Sequence, residues 1–215
     1  RIQQIPYKLK KKELILPNIP SFSNYNFLCV DKKYSFDNDL IVFSYVGGLN
    51  NERFLDELLY VAEKGLINLL IAGFGNNQLE EKCSKLSELQ NIKFFGKVQY
   101  QEGLNIMFNS DIIYAMYCKS NPNHFYAAPN KYYEAMMLGK PILSTMGIRI
   151  ANKINDFNIG YVIEESIEDL ENLINSLNKD DMGKKGLNAH LLWENQFKNY
   201  NSDFLNSTYK KIIEQ

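Results

Sequence analysis

Five short apolar runs, "LIVFSYV" (40–46), "INLLIAG" (67–73), "IKFFGKV" (92–98), "DIIYAMY" (111–117) and "PILST" (141–145), recur along the chain with helix-like segments between them. None of the first four alternates polar with apolar residues. A strand that is apolar at every position is buried on both faces, so helices must cover both sides of its sheet, and strands joined through helices run parallel. The intervening segments fit that demand. In "ERFLDELLYVAEKG", residues Phe54, Leu55, Leu58, Leu59 and Val61 recur at helical spacing, and "QLEEKCSKLSEL" and "QEGLNIMFNS" are amphipathic in the same way. A helix from Ile148 to Phe157 and a last strand in "YVIEE" bring the total to about six strand–helix units between residues 39 and 178. The predicted fold is α/β: one doubly wound parallel sheet, with two or three more helices after Ser166.

Composition supports a real core and excludes some roles. Hydrophobic residues make up 45% of the 215 and charged residues 23%, and the net charge of −1 argues against a nucleic-acid surface built on bulk positive charge. No apolar run approaches the roughly 18 residues of a membrane span. There is no signal peptide, and the chain begins at Arg1, which reads as a fragment of a cytoplasmic protein. Cys29, Cys83 and Cys118 are odd in number and far apart, as free thiols in a reducing compartment would be. Residues 1–38, with a basic cluster, two prolines in "ILPNIP" and a polar aromatic tail, read as a linker, with one short strand near "NFLCV".

Ligands of doubly wound sheets bind beyond the carboxyl ends of the strands, so the loops there are the place to look for chemistry. After the first run come Gly47 and Gly48, which allow a tight turn and close approach to an anion, and then Arg53 in the first turn of the next helix. An ordinary strand–helix turn with a solvated arginine explains the same residues. Gly73 and Gly75 follow the second run without the third glycine or the distant acidic residue of a dinucleotide fingerprint. Lys97 and Val98 follow Gly96, where backbone groups can pair with the edge of a base. The richest stretch is "APNKYYEAMMLGKPIL" (128–143). Pro129 suits a helix start, and Asn130, Lys131 and Glu134 share one helical face at the end where free N–H groups attract anions. Glu134 suits that anion site only as an acceptor for a ligand's hydroxyls; the alternative is a Lys131–Glu134 ion pair. His124 and His190 are too few and too separated for a metal site; His124, in the loop before the key helix, is in reach of a ligand, but surface or loop packing is the simpler role.

Taken in order, "YVGGLNNERFLDELL", "LLIAGFG", "IKFFGKV", "DIIYAMY" and "APNKYYEAMMLGKPIL" resemble the C-terminal half of retaining GT-B glycosyltransferases, of the family 4 or "glycosyl transferases group 1" type. The resemblance covers roughly residues 39–178. It implies a Rossmann-like half of a GT-B fold that binds a nucleotide-diphospho-sugar, a UDP- or GDP-sugar, without a metal or prosthetic group. It places Glu134 at the second glutamate of the family's E-x7-E motif, where the ribose is held. Asn130 and Lys131 fall at the diphosphate, Arg53 near a phosphate-binding lysine, and Lys97 and Val98 at the base. The first glutamate of the motif falls on Tyr126, and an arginine often found in the first loop is Gly48 here.

The same resemblance implies transfer of a hexose with retention to a glycan or lipid-linked acceptor held by an N-terminal domain, as in cell-surface polysaccharide synthesis. Residues 1–38 would then be the remnant of that domain and its linker, 39–192 the donor domain, and 193–215 a helix packing back toward the N-terminal half. The expected location is cytoplasmic, at the inner face of the membrane where the acceptor is lipid-linked, with no nucleic-acid partner, and this chain alone is expected to be inactive. A GT-B sugar-nucleotide epimerase and a non-catalytic partner module are the alternatives.

Overall fold

The computed structural model describes residues 18–20, 26–125 and 129–209. Six parallel strands form one sheet: β1 (Val42–Leu49), β2 (Asn68–Gly75), β3 (Ile92–Phe94), β4 (Ile112–Ala115), β5 (Ile142–Thr145) and β6 (Gly160–Ile163). Their spatial order is β3-β2-β1-β4-β5-β6. The helices between them are α1 (Leu55–Glu63), α2 (Asn77–Leu86), α3 (Tyr100–Phe108), α4 (Pro122–Phe125), α5 (Asn130–Leu138) and α6 (Arg149–Asp156). After β6 come α7 (Ile167–Ser176), α8 (Lys179–Leu192), a π-helical turn at Trp193–Phe197 and α9 (Tyr200–Asp203). This is the doubly wound α/β sheet that the apolar runs predict.

Alternation along the strands divides the core. Phe43 and Tyr45 of β1 with Ile112 and Tyr114 of β4 pack on one face against Leu55, Leu58 and Leu59 of α1. Ile113 and Ala115 point to the other face, among Leu104 and Met107 of α3 and Ala135 and Met136 of α5. Seven of the nine residues of α5 are buried, and the helix stops at Gly139, whose φ of 65° is the left-handed conformation that a glycine adopts without strain. Trp193 is buried in the same cluster, and the ring of Phe197 meets Tyr133 of α5 at 5.3 Å.

Two features differ from expectation. β1 does not end before its glycines: Gly47 and Gly48 continue the ladder opposite Gly73 and Phe74. The ladder persists because β1 and β2 come close there. A Cβ on Gly73, whose φ is 156°, would lie 1.9 Å from the carbonyl oxygen of Gly47. The strand expected at "NFLCV" is not formed. Asn105 of α3 donates to the carbonyl of Phe27 and accepts from the N–H of Cys29, while Asn109 donates to the Cys29 carbonyl. Side-chain amides thus satisfy a segment that has no neighbouring strand.

Register opens the crevice. β1 pairs with β2 over eight residues, but with β4 only at Phe43–Ile112 and Ser44–Ile113. Beyond Ser44 the carboxyl end of β1 stays with β2 and leaves β4. The connection also changes direction here, making β1/β4 the topological switch point of the sheet.

Candidate donor site

A cavity of about 600 Å³ occupies this switch point, a volume in the range of small-molecule sites. Val46 and Gly47 of β1, Gly103 and Met107 of α3, and Tyr117 and His124 beyond β4 line it, together with the start of α5. Pro129, with φ −71° and ψ 140°, is the N-cap of α5, and its side chain makes no capping hydrogen bond. Pro129, Asn130 and Lys131 at this start line the cavity, which puts the positive end of the helix dipole at its wall.

Lys131 reaches from that turn to β1. Its Nζ lies 4.9 Å from the centroid of the Tyr45 ring, and a Cβ on Gly47 would stand only 2.8 Å from it. The absence of a side chain at Gly47 is what admits the ammonium. Burial lowers the Lys131 pKa from 10.5 to about 8, opposed by the charge of Glu134 and reinforced by that of Arg53. Glu134, one turn on, is buried. Burial raises its pKa, against which the Tyr100 hydroxyl donates to its Oε1 at 2.8 Å. Among the described residues no ion pair within 4 Å joins Lys131 and Glu134, so the intrahelical pair weighed from the sequence is not formed.

Arg53 sits not in α1 but in a 3-10 turn, Asn51–Arg53, separated from the helix by Phe54 in the left-handed conformation. Its guanidinium carbon lies 4.4 Å from the Tyr117 ring centroid, and its Nη1 is 3.4 Å from His124 Nε2. His124 Nδ1 is 2.9 Å from the Cys118 carbonyl oxygen, to which it donates. With the proton on Nδ1, Nε2 accepts from Arg53. The Tyr117 ring and the His124 imidazole, whose Nε2 also lies 3.5 Å from Glu52 Oε2, thus flank the guanidinium at the cavity wall.

Of the residues singled out from the sequence, Gly47, Arg53, Val98, Asn130, Lys131 and Glu134 line the one cavity. Gly48, Gly73, Gly75 and Lys97 do not. Gly73 and Gly75 serve the close β1–β2 approach. The Gly48 carbonyl accepts from the Tyr45 hydroxyl at 2.6 Å, and the Lys97 ammonium lies over the exposed Phe74 ring. Tyr126 falls outside the described residues. Sequence reasoning missed Tyr100, Gln99, Gly103, Met107 and Tyr117 and ranked ligand contact by His124 behind packing; the position of Tyr100, at a helix start just after "GKV", was the one usable signal. Among the described residues no group of three or more His, Cys, Asp or Glu is placed to hold a metal ion. No described helix is long and apolar enough to cross a membrane.

Sheet order, crevice and cationic helix start together define a Rossmann-like α/β domain with an anion-suited site at its switch point. The chain belongs to the glycosyl transferases group 1 family, whose profile matches residues 30–191. Its fold is that of the C-terminal half of a GT-B glycosyltransferase. Sucrose-phosphate synthase from Thermosynechococcus elongatus superposes with a TM-score of 0.64 at 14% identity, over 91% of this chain and 52% of that one. WaaG, a glycosyltransferase involved in lipopolysaccharide biosynthesis, superposes at 0.61 and 18% identity, over 89% and 55%. HepE from Anabaena, solved with UDP and glucose, does so at 0.61 and 14%, over 86% and 55%. At these identities the likeness is one of fold, and the chain spans about half the length of the structures it matches. No curated protein matches the sequence.

Proposed function

We propose that this domain binds the nucleotide-diphospho-sugar of a retaining hexosyltransferase whose acceptor, a glycan or lipid-linked saccharide, sits in a separate N-terminal domain. The observation that carries this reading is the convergence of Lys131, Arg53, the start of α5 and the buried Glu134 on one cavity at the switch point. The helix N-terminus and the two cations suit a diphosphate, and they stabilise the negative charge that grows on it as the sugar leaves, without a metal. Glu134 accepts from the ribose hydroxyls and acts neither as acid nor as base. Val98, beside Gln99 on the opposite wall, meets the base. The UDP and glucose held by HepE and the role of WaaG in lipopolysaccharide biosynthesis support a nucleotide-sugar donor and a cell-surface product. On this reading residues 1–38 lead from the acceptor domain, 193–215 return toward it, and the chain alone transfers nothing.

Calorimetric titration of the chain with UDP, GDP and ADP tests the reading. One of them should bind, and Glu134→Ala should weaken it by about tenfold or more, the cost of losing hydrogen bonds to a charged acceptor. No affinity for any of the three at millimolar concentration sinks it.

A further inference from the structure

The geometry points to Tyr100 as the residue that positions Glu134 and so sets how strictly this site prefers a ribonucleotide to a deoxyribonucleotide. The inference rests on the donor-site reading and adds a residue to it.

Three observations carry it. First, Glu134 is a carboxylate only 4% exposed, and such a group needs a donor to stay ionised and ordered. The donor is a hydroxyl from another element: Tyr100, the first residue of α3, reaches across the cavity to Oε1 at 2.8 Å. Second, the reach depends on how closely α3 approaches β1. Gly103, one turn after Tyr100, faces Val46, and a Cβ there would come within 2.9 Å of the valine methyl. A larger residue would lift the start of α3, and the Tyr100 hydroxyl with it, away from α5. Third, the Tyr100 side chain spans two environments. The residue is 46% exposed, yet its hydroxyl is on Glu134 and it lines the cavity.

A carboxylate offers about four acceptor positions. Tyr100 takes one on Oε1 and leaves the whole of Oε2 and the second lone pair of Oε1. Pinning one oxygen removes rotation of the carboxylate about its last bond. A fixed carboxylate presents two acceptors in one plane, which matches the two adjacent hydroxyls of a ribose better than the single hydroxyl of a deoxyribose. A freely turning carboxylate would follow either sugar and discriminate less. Tyr100 thus acts through Glu134 and is a positioning residue.

The test is a comparison of selectivities in the 215-residue chain. Of UDP, GDP and ADP, the tightest ligand and its 2′-deoxy counterpart are titrated by calorimetry into the wild type, Tyr100→Phe and Glu134→Gln. The phenylalanine keeps the half-exposed ring and removes only the hydroxyl, and a thermal melt reports whether the fold is unchanged. The wild type should prefer the ribonucleotide by about tenfold, Glu134→Gln should show almost no preference, and Tyr100→Phe should lose severalfold of it, in line with one charged hydrogen bond. Tyr100→Phe with an unchanged ratio, while Glu134→Gln loses its preference, overturns the role of Tyr100 and leaves the ribose reading standing. A wild type or Glu134→Gln ratio that contradicts the expectation, or no binding at all, overturns the ribose reading and this inference with it.

Discussion

Replacing Lys131 with methionine should make the protein more stable and its ligand binding weaker, because the same buried charge governs both. A lysine ordinarily near 10.5 is held at about 8 in the fold, chiefly by burial. At about 1.4 kcal/mol per pKa unit, carrying the charge at neutral pH costs the folded state up to about 3 kcal/mol. The sign follows from proton counts. Between pH 8 and 10.5 the unfolded chain keeps the proton that the folded chain has lost, so stability from this group rises with pH across that window. Below pH 8 both states are charged and the full cost is present. Lys131→Met at pH 7 therefore removes the cost, and a melting temperature higher by several degrees is expected. A bound diphosphate reverses the preference, since an anion beside the ammonium holds the proton. Wild-type affinity for the nucleoside diphosphate should then fall about tenfold from pH 7 to pH 9, as the free site loses its charge. Lys131→Arg, charged throughout, should show no such fall. Scanning calorimetry reads the stability, and titration in two buffers of different ionisation enthalpy reads the proton taken up on binding. A wild-type affinity that stays flat from pH 7 to 9, with Lys131→Met melting lower than wild type, would refute the assignment of a buried, ligand-responsive charge.

Gly73→Ala should destabilise the fold by about 2 kcal/mol or more, because its Cβ meets the Gly47 carbonyl 1.9 Å away at a φ of 156° that side chains rarely adopt; urea unfolding measures it. Arg53→Gln removes the cation held between Tyr117 and His124, and should weaken diphosphate binding about tenfold while leaving the melting temperature within a few degrees. The lost affinity should also carry a reduced salt dependence, which titration at 50 and 500 mM salt, about a threefold change in screening length, detects.

The parts of this molecule that announce themselves in sequence are those whose physics is local. Unbroken apolar runs such as "INLLIAG" betray two-sided burial, and β2 appears in the structure as predicted; a glycine after an apolar helix is a stop signal of the same local kind, and Gly139 ends α5. β1 was read short because two consecutive glycines look like a turn to any local rule. What keeps Gly47 and Gly48 in the strand is Gly73 and Phe74 on the neighbouring one, which are 26 residues away in each pairing. The cavity shows the same division. Asn130, Lys131 and Glu134 share a helix face, and spacing alone groups them. That Lys131 fills the space a side chain at Gly47 would take is a contact 84 residues apart, and the Tyr100–Glu134 bond spans 34. Neither leaves a local mark, so the sequence identified the charged groups of the site without the groups that orient them.

Those orienting groups share a property that bears on function. A fold optimised for stability would pair Lys131 with Glu134, since each buried charge is expensive alone. Here the groups in contact are not opposite charges: the Tyr45 ring under Lys131, the Tyr100 hydroxyl on Glu134, and the Tyr117 and His124 rings at Arg53. Such a partner fixes the direction of a charged group without cancelling its charge. An ion pair would fix it equally well, but a ligand would then have to break the pair before binding. Burial pulls both Lys131 and Glu134 toward neutrality; their mutual attraction and the Tyr100 hydroxyl oppose it only in part, and no ion pair within 4 Å joins them among the described residues, so part of the electrostatic demand is left for whatever enters the cavity. The proposed ligand, an anion with adjacent hydroxyls, would meet the demand at both ends at once, with the anion at Lys131 and Arg53 and the hydroxyls at Glu134. On the proposed reading, the stability lost at these positions is recovered on binding, which accounts for a helix, buried along seven of its nine residues, that opens with a cation and an anion not joined in a direct ion pair.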